Sequence, residues 1–387
     1  MDDMTTFDGF KKLINQYKID YPVIPPCSSF GICGGCQWQN VPYTIQISRK
    51  KNVLQKLLKR DVSVFPSPAE YGYRSRMDFV VAFGNIGLRP GGVYTQVIDI
   101  KRCYLVPDET NYLLQRVKYW LRRLEIPDYN YTEHKGFLRY VVIRQTSIGE
   151  LMLILLTSSP HQDQEYLIPQ LVEILLKELS IKSCWWVTHD GLADLSRGVP
   201  KQFWGDPYIG EQIDELQFNC GPNTFFQNNK SVAEQCFKVI REAVLGVNVF
   251  DLYCGTGTIS LFLCSRKKEI IGVESDSDAI KIAEINSRQN NITNVQFINS
   301  DVRKFLVQNT QPFDTVILDP PRSGAGRKVI QHLVRLSPVR IIYLSCNPDA
   351  FMEDTSYLRG YDLKSVQGFD MFPQTTHVEL IGIFDKR

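Results

Sequence analysis

A cysteine at the end of a predicted strand is the residue of this sequence best suited to chemistry. Cys346 stands in the run Ser345-Cys-Asn-Pro348, at the end of an apolar segment that begins at Arg340. Most cysteines are small buried hydrophobes. In an open α/β sheet, however, ligands bind at the carboxyl ends of the strands. The position of Cys346 therefore predicts a nucleophilic thiol beside a ligand crevice.

Two carboxyl side chains could act with this thiol. Asp319 ends the preceding predicted strand in Asp319-Pro-Pro-Arg322, where two prolines fix a rigid, extended turn that could hold a planar base. A helix N-cap is the alternative interpretation of Asp319. Glu379 begins the last predicted strand and is our candidate for a general base, with His377 as a second candidate. The alternative for Glu379 is an exposed position on an edge strand.

A glycine-containing loop indicates a cofactor site. The segment 251–258, Asp-Leu-Tyr-Cys-Gly-Thr-Gly-Thr, follows the first strand of the C-terminal half. The next two predicted strands end at Glu274, which could bind ribose hydroxyls, and at Asp301, which could bind an adenine amino group. A Gly-x-Gly turn alone is weak support, and the third glycine of dinucleotide sites is absent. The pattern instead resembles the adenosylmethionine loop of class I methyltransferases.

Four cysteines form a candidate metal site. Cys27, Cys33 and Cys36 make the pattern Cys-x5-Cys-Gly-Gly-Cys, and Cys103 follows at a distance. Four soft ligands suit one tetrahedral ion or one cubane cluster. Zinc and an iron–sulfur cluster both fit this spacing. We expect a structural role for this site rather than a redox role.

Composition excludes several classes of protein. The 387 residues carry a net charge of +2, and 22% of them are charged, which is ordinary for a globular protein. RNA binding would therefore require local clusters of basic residues. The acidic start and the longest apolar run, 151–156, fit neither a leader nor a bilayer span of about 20 residues. We expect a cytoplasmic monomer without membrane contact, whose ten cysteines do not form disulfides.

The order of predicted elements separates two regions. After Cys220, strands alternate with helix-length segments, which predicts a doubly wound, mostly parallel α/β sheet. Residues 1–215 are predicted as an α+β region and residues 216–387 as the doubly wound domain. The predicted strands of the second region are 247–253, 269–274, 295–298, 315–319, 340–346, 361–366 and 377–384.

These motifs together resemble the RNA uracil-C5 methyltransferase family. The similarity extends from Cys27 to Glu379 and rests on the cysteine cluster, Phe-Phe-Gln-x-Asn, Asp-Pro-Pro-Arg, Ser-Cys-Asn and Phe-Pro-x-Thr-x-His-x-Glu. It implies S-adenosylmethionine as methyl donor and RNA as partner. It also implies a Rossmann-like methyltransferase domain beside an iron–sulfur, RNA-binding domain. The helix at about 44–59 would pack on the methyltransferase domain.

The resemblance implies a role for each candidate residue. Cys346 would add to carbon 6 of uracil, which makes carbon 5 nucleophilic, and Glu379 would remove the carbon 5 proton. The four cysteines Cys27, Cys33, Cys36 and Cys103 would hold a 4Fe–4S cluster. The segments 71–76 and 135–140 would contact RNA. The cofactor contacts would be Gln227, Tyr253, Thr258, Glu274, Asp301 and Asp319.

Three other functions would use some of the same motifs. An RNA cytosine-C5 methyltransferase normally has a second cysteine in the Asp-Pro-Pro loop, and an amino-group methyltransferase normally has an aromatic residue where Arg322 stands. A non-catalytic iron–sulfur RNA-binding protein is the alternative from another class. Some family members carry a β-barrel domain before the cluster, but only 26 residues precede Cys27 here. The chain therefore resembles the shorter members, which include 23S ribosomal RNA enzymes and tRNA enzymes. Because segments 71–81 and 129–144 look closer to the ribosomal group, we expect a 23S ribosomal RNA substrate, with uridine 54 of tRNA as the alternative.

Overall fold

The computed structural model describes residues 9–17, 22–264, 268–309 and 311–387. Among its helices, none combines the length and the apolar character that a bilayer crossing requires. The helices in the described ranges are α1 (Phe10–Asn15), α2 (Tyr43–Leu58), α3 (Asp108–Arg123), α4 (Leu167–Glu178), α5 (Lys230–Ala243), α6 (Thr258–Leu263), α7 (Ser277–Gln289), α8 (Val302–Gln308), α9 (Arg327–Leu336) and α10 (Pro348–Thr355). The strands are β1 (Ser63–Phe65), β2 (Arg76–Ala82), β3 (Asn85–Leu88), β4 (Ile98–Asp99), β5 (Tyr129–Asn130), β6 (Lys135–Gly136), β7 (Leu138–Gln145), β8 (Leu151–Thr157), β9 (Ser183–Thr188), β10 (Val199–Gly205), β11 (Ile209–Ile213), β12 (Leu216–Cys220), β13 (Asn248–Leu252), β14 (Glu269–Glu274), β15 (Val295–Asn299), β16 (Thr315–Leu318), β17 (Arg340–Ser345), β18 (Tyr361–Phe369) and β19 (Glu379–Lys386).

The chain forms two compact units. Unit 1 contains residues 1–23, 40–68 and 231–387, and unit 2 contains residues 24–39 and 69–230. Unit 1 therefore includes α2 and β1 from the N-terminal region as well as the C-terminal part of the chain. The domain limits of 1–215 and 216–387 drawn from the sequence remain a prediction.

Unit 1 is built on an eight-stranded sheet with the order β1-β18-β19-β17-β16-β13-β14-β15. The strands from β17 to β15 are parallel, whereas β19 runs antiparallel between β17 and β18. The central strands β16 and β17 are almost fully buried, as is typical of strands covered on both faces. Amphipathic helices such as α5 and α9 separate the strands in the chain. The doubly wound α/β fold predicted for the C-terminal region is confirmed.

Helix α2 belongs to unit 1 because of its long-range partners. It lies within two residues of the predicted helix at 44–59, and its buried positions include Gln46, Lys50 and Leu54. The strand that follows, β1, pairs in parallel with β18, and Ser63 stands opposite Gln367 in the register.

Unit 2 has a seven-stranded sheet with the order β10-β9-β8-β7-β2-β3-β4. Strand β7 is buried along its whole length, and α3 and α4 pack against the same apolar core. The antiparallel pair β11–β12 completes the unit near its end. This arrangement is the α+β architecture expected for the N-terminal region, whereas the iron–sulfur character of that region stays a prediction.

Candidate active site

The carboxyl edge of the unit 1 sheet collects most of the predicted site residues. All but one of these residues end a parallel strand or lie in the loop just after one, so the topology alone brings them to one edge. Because β19 is antiparallel to its neighbours, its first residue lies at this edge too. The residues are Tyr253 after β13, Glu274 at the end of β14, Asp301 after β15, Asp319 after β16, Cys346 after β17 and Glu379 at the start of β19.

The register of β17 and β19 places the candidate nucleophile beside the candidate base. Ser345 is the last residue of β17 and stands opposite Leu380 of β19. The next position on each strand, counted outward, is Cys346 on one and Glu379 on the other. Glu379 is also anchored from its other side, because it stands opposite Phe369 of β18. Antiparallel pairing therefore brings together two residues that are 33 positions apart in the sequence.

Burial is the main influence on the pKa values of Cys346, Asp319 and Glu379. It raises the pKa of the Cys346 thiol to about 11, an effect that the charges of Glu379 and Asp319 increase and that of Arg322 reduces. Burial also raises the pKa of Asp319 to about 7. The pKa of Glu379 lies well above its ordinary value because of burial and of the nearby Asp319. A carboxyl group with a raised pKa is a stronger base once it is ionised, as removal of a carbon-bound proton requires.

Side chains that the sequence analysis did not single out hold the two loops at this edge. Asn347 donates a side-chain hydrogen bond to the Arg322 carbonyl at 3.1 Å and accepts one from the Asp349 amide at 3.2 Å, which caps α10. The buried Asp354 accepts hydrogen bonds from the Ala325 and Gly326 amides at 2.7 and 3.0 Å. The Asp-Pro-Pro-Arg turn is thus tied to the segment that follows Cys346. Only Asn347 had a signal in the sequence, as part of the Ser-Cys-Asn motif.

The glycine loop makes a cradle between β13 and α6. Glu274 accepts a hydrogen bond from the Gly255 amide at 3.3 Å, which links the end of β14 to this loop. Thr258 is the first residue of α6, and Tyr253 lies in the left-handed region with a φ of 66°. Apart from the glycine itself and its two chain neighbours, no atom of the described residues lies within 4 Å of the position that a Gly255 side chain would occupy. This open space leaves the backbone accessible to a ligand.

Asp301 and Gln227, two further predicted cofactor contacts, lie outside the glycine loop. Asp301 is exposed and caps α8, because its carboxylate accepts a hydrogen bond from the Lys304 amide at 2.9 Å. Capping uses one oxygen of the carboxylate, so the second oxygen could still bind a ligand. Gln227 belongs to unit 2, where its carbonyl accepts a hydrogen bond from Ser75 Oγ at 3.5 Å.

The four clustered cysteines of unit 2 line one cavity. Cys27, Cys33, Cys36 and Cys103 share it with apolar side chains such as Leu88 and Ile100. Burial raises the pKa of Cys36 to about 12 and that of Cys103 to about 11, and neighbouring cysteines add to both effects. Within the described ranges, no three His, Cys, Asp or Glu side chains are gathered as the ligands of a metal ion.

One expectation about RNA contacts is wrong. Arg139 and Tyr140, within the segment 135–140, were expected to contact RNA, but both side chains are buried. The Arg139 guanidinium donates hydrogen bonds to the carbonyls of His189, Gly191 and Ala193 at 2.7, 2.8 and 3.1 Å. Arg139 therefore fixes the loop after β9, because a buried charge needs this many partners.

Comparisons with known proteins agree with this geometry. Residues 209–387 match the family model described as tRNA (uracil-5-)-methyltransferase. The tRNA (uracil(54)-C(5))-methyltransferase of Pyrococcus furiosus is 33% identical over 92% of this chain and 84% of its own length. An uncharacterized RNA methyltransferase of Thermotoga maritima is 37% identical over 96% of this chain and 87% of its own.

A solved structure has the same fold. The tRNA (uracil-54, C5)-methyltransferase of Pyrococcus abyssi, in complex with S-adenosyl-L-homocysteine, superposes with a TM-score of 0.80 at 30% identity. The match covers 92% of this chain and 86% of that one. The chain therefore belongs to the family of RNA (uracil-C5)-methyltransferases, enzymes that transfer a methyl group from S-adenosylmethionine to carbon 5 of a uracil in RNA.

Proposed function

We propose that Cys346 is the covalent nucleophile of this methylation and that Glu379 is the base that completes it. The register of β17 and β19 is the observation that carries this proposal, since it places the two side chains at one sheet edge. Both are buried enough to have raised pKa values. Desolvation strengthens a thiolate as nucleophile and a carboxylate as base.

The methyl transfer would proceed through a covalent adduct between Cys346 and the uracil ring. The Cys346 thiolate adds to carbon 6, and the electron pair of the carbon 5–carbon 6 bond passes into an enolate. Bound S-adenosylmethionine supplies the methyl group that carbon 5 takes up. Glu379 then accepts the proton of carbon 5, the double bond re-forms and the thiolate leaves. Each step uses a group at the same edge of the sheet.

The loops at this edge would hold the methyl donor. We assign Glu274 to the ribose hydroxyls, since it also fixes the Gly255 amide. Tyr253, Thr258, Asp301 and Asp319 would make further contacts from the ends of β13, β15 and β16. Gln227 completes the proposed set from unit 2.

RNA that contains 5-fluorouridine tests the covalent mechanism. Fluorine at carbon 5 cannot leave as a proton, so the adduct formed by Cys346 should persist in the presence of S-adenosylmethionine. We expect a protein–RNA band that survives denaturing electrophoresis, and its absence from the Cys346→Ala variant. Cys184→Ala, at a buried cysteine of β9 in unit 2, is the matched control and should still form the adduct. An adduct that persists in Cys346→Ala would refute the assignment.

A second variant tests the base. Glu379→Gln keeps the size of the side chain but cannot accept the proton, so it should accumulate methylated RNA bound to Cys346 on ordinary uridine substrates. Product release should slow by about a hundredfold or more, the usual contribution of a positioned base. Normal turnover of Glu379→Gln would exclude Glu379 as the base.

We further propose that the four cysteines of the unit 2 cavity hold a 4Fe–4S cluster. A single zinc ion draws its four ligands to about 2.3 Å from one point, whereas a cubane spreads them over four irons. The four cysteines line one shared cavity, and the resemblance to family members with a 4Fe–4S centre favours the cluster over zinc. The cluster would fix the segment 27–39 to Cys103 and would take no part in methyl transfer.

Metal analysis of protein purified without oxygen tests the cluster. We expect about four iron and four sulfide per chain, with the broad visible absorption of such clusters. Cys103→Ser should lose iron. Cys184→Ser, at a buried cysteine of unit 2 outside the cavity, should keep it. Stoichiometric zinc in place of iron would overturn the proposal.

For the substrate we propose uridine 54 of tRNA. The similarity to enzymes named for that nucleotide in two Pyrococcus species supports it over the 23S ribosomal RNA expected from the sequence. The experiment offers the purified protein unmodified tRNA and 23S transcripts in parallel and maps 5-methyluridine by mass spectrometry. Methylation confined to the 23S transcript would restore the original expectation.

A further inference from the structure

The connection between β18 and β19, residues 370–378, ends at the proposed base. Its two ends are fixed by the register pair of Phe369 and Glu379. Between these ends the chain makes a loop that is largely buried, including Asp370, Gln374 and Thr375. Buried loops need partners for their polar groups. Here many of those partners come from helix α2, which lies some 320 residues earlier in the chain.

The first anchor is a fully buried ion pair. Lys50 Nζ lies 2.6 Å from Asp370 Oδ1, and both side chains are completely buried. The Tyr43 hydroxyl donates a hydrogen bond to Asp370 Oδ2 at 2.9 Å. The Asp370 amide donates to the Phe65 carbonyl of β1 at 2.9 Å. Lys50 Nζ also donates a hydrogen bond to the carbonyl of Phe372 at 3.5 Å, two residues further along the loop.

The second anchor is a pair of glutamines. Gln46 Nε2 donates to Gln374 Oε1 at 2.9 Å, and Gln46 Oε1 accepts from the Gln374 amide at 3.0 Å. Gln374 has a φ of 67°, a left-handed conformation that residues other than glycine rarely adopt. Such a backbone persists only where its surroundings over-determine it. The two hydrogen bonds between Gln46 and Gln374 hold the backbone of Gln374 in this conformation.

Both anchors come from one stripe of α2. Tyr43, Gln46 and Lys50 follow one another at spacings of three and four residues, so their side chains project from the same face of the helix. Within the loop, Thr375 Oγ1 donates to the Phe372 carbonyl at 2.7 Å and accepts from the His377 amide at 3.2 Å. The path from α2 to the residues just before Glu379 is therefore a continuous set of hydrogen bonds.

We propose that Tyr43, Gln46 and Lys50 are positioning residues for proton removal: through Asp370 and Gln374 they hold the loop that sets the carboxylate of Glu379 beside Cys346. This inference rests on the proposed role of Glu379. Cys346 follows a different strand and is tied to the Asp-Pro-Pro-Arg turn through Asn347. Loosening the loop should therefore impair the base more than the nucleophile.

The test compares two rates on the intact, cluster-loaded protein. Formation of the 5-fluorouridine adduct requires the thiol and the methyl donor but no base, whereas turnover on uridine RNA requires both. For Gln46→Met we expect turnover to fall by about tenfold or more, with adduct formation changed by less than about threefold. The variant should also accumulate the methylated covalent intermediate on uridine RNA, as Glu379→Gln does.

Gln55→Met is the matched control. It makes the same change on the same helix, at a side chain whose partner is Asp61 near the surface, and it should leave both rates unchanged. Gln374→Gly is a second variant with less risk of misfolding, because glycine accepts the positive φ while the side-chain hydrogen bond is lost. It should show the same split between the two rates.

The outcomes separate this inference from the proposed function. If Glu379→Gln fails to accumulate the intermediate, the assignment of the base is wrong. If Glu379→Gln stalls while Gln46→Met and Gln374→Gly slow both rates equally, α2 has a purely structural role and the inference fails alone. If Gln46→Met and Gln374→Gly leave both rates unchanged, the inference is also wrong.

Discussion

Cys346 lies among groups of both charges, and their balance controls how much thiolate is present. Burial and the two carboxylates of Glu379 and Asp319 favour the neutral thiol, whereas the guanidinium of Arg322 favours the thiolate. Arg322 is exposed and also lies 3.3 Å from His377 Nδ1. Its electrostatic effect is therefore moderated by solvent.

Replacing Arg322 should move the pH dependence of adduct formation upward. In Arg322→Met the pKa of Cys346 should rise further above its value of about 11 in the native protein. Because the reaction needs the thiolate, adduct formation should slow by about threefold at every pH well below the pKa of Cys346. The measurement is the adduct rate on 5-fluorouridine RNA between about pH 6 and pH 10. Arg322→Lys keeps the charge and serves as control; an identical profile for Met and Lys would exclude the charge effect.

The sequence predicted the candidate nucleophile and base but not the residues that support them. Cys346 and Glu379 were predicted from strand ends, which is a local signal, and the structure places both at one sheet edge. Asp354 and Gln374 gave no such signal, because their partners Ala325 and Gln46 lie far away in the chain. Long-range hydrogen bonds depend on the tertiary fold, so motif spacing alone does not predict them.

At the scale of elements, the loop between β13 and α6 depends on close contact between strands and helix. Gly257 has a φ of 77°, and a side chain there would lie 2.6 Å from Phe297 of β15. Gly255 has a φ of 54°, and the space around it is open. Glycine is therefore needed at the two positions for different reasons. At position 257 it allows close packing against Phe297, and at position 255 it leaves room for a ligand.

Alanine at these two glycines should give opposite patterns. Gly257→Ala should lower the stability of the ligand-free protein by about 2 kcal/mol or more, because the methyl group overlaps an aromatic ring. Gly255→Ala should cost only about 1 kcal/mol, the backbone penalty of a left-handed residue. With S-adenosylhomocysteine added, Gly255→Ala should lose most of the stabilisation seen in the native protein. Thermal unfolding with and without this ligand measures both; equal destabilisation without ligand would contradict the packing argument.

Local periodicity predicted most of the elements of unit 1, while pairing across the chain was not predictable. The strand at 269–274 was predicted with the observed limits. Strand β10, by contrast, was not predicted, and it is an exposed edge strand of the unit 2 sheet. The parallel pairing of β1 with β18 joins segments about 300 residues apart, and no local pattern indicates such a contact.

At the scale of the whole molecule, unit 1 buries acidic groups at one sheet edge. Asp251 and Asp319 have pKa values raised to about 7 by burial. Asp251 accepts a hydrogen bond from Ser260 Oγ at 2.5 Å through one oxygen, while its other oxygen is buried without a partner in the described residues. Retaining such groups lowers stability, as is common where a site must bind a ligand.

The pH dependence of stability should show this cost. The unfolded pKa of an aspartate is about 3.9, and that of Asp251 in the folded protein is about 7. Between these values the folded state holds the proton that the unfolded state has lost. The contribution of Asp251 is therefore complete below about pH 4 and is lost as the pH rises to about 7. Asp251→Asn, which stays neutral and can still accept from Ser260, should match the native protein near pH 4.5 and exceed its free energy of unfolding by about 2 kcal/mol at pH 8. Chemical denaturation at the two pH values measures the difference, and the exposed Asp278→Asn on α7 should change little at either. A benefit of Asp251→Asn that is equal at both pH values would show that the gain does not come from burying a charge.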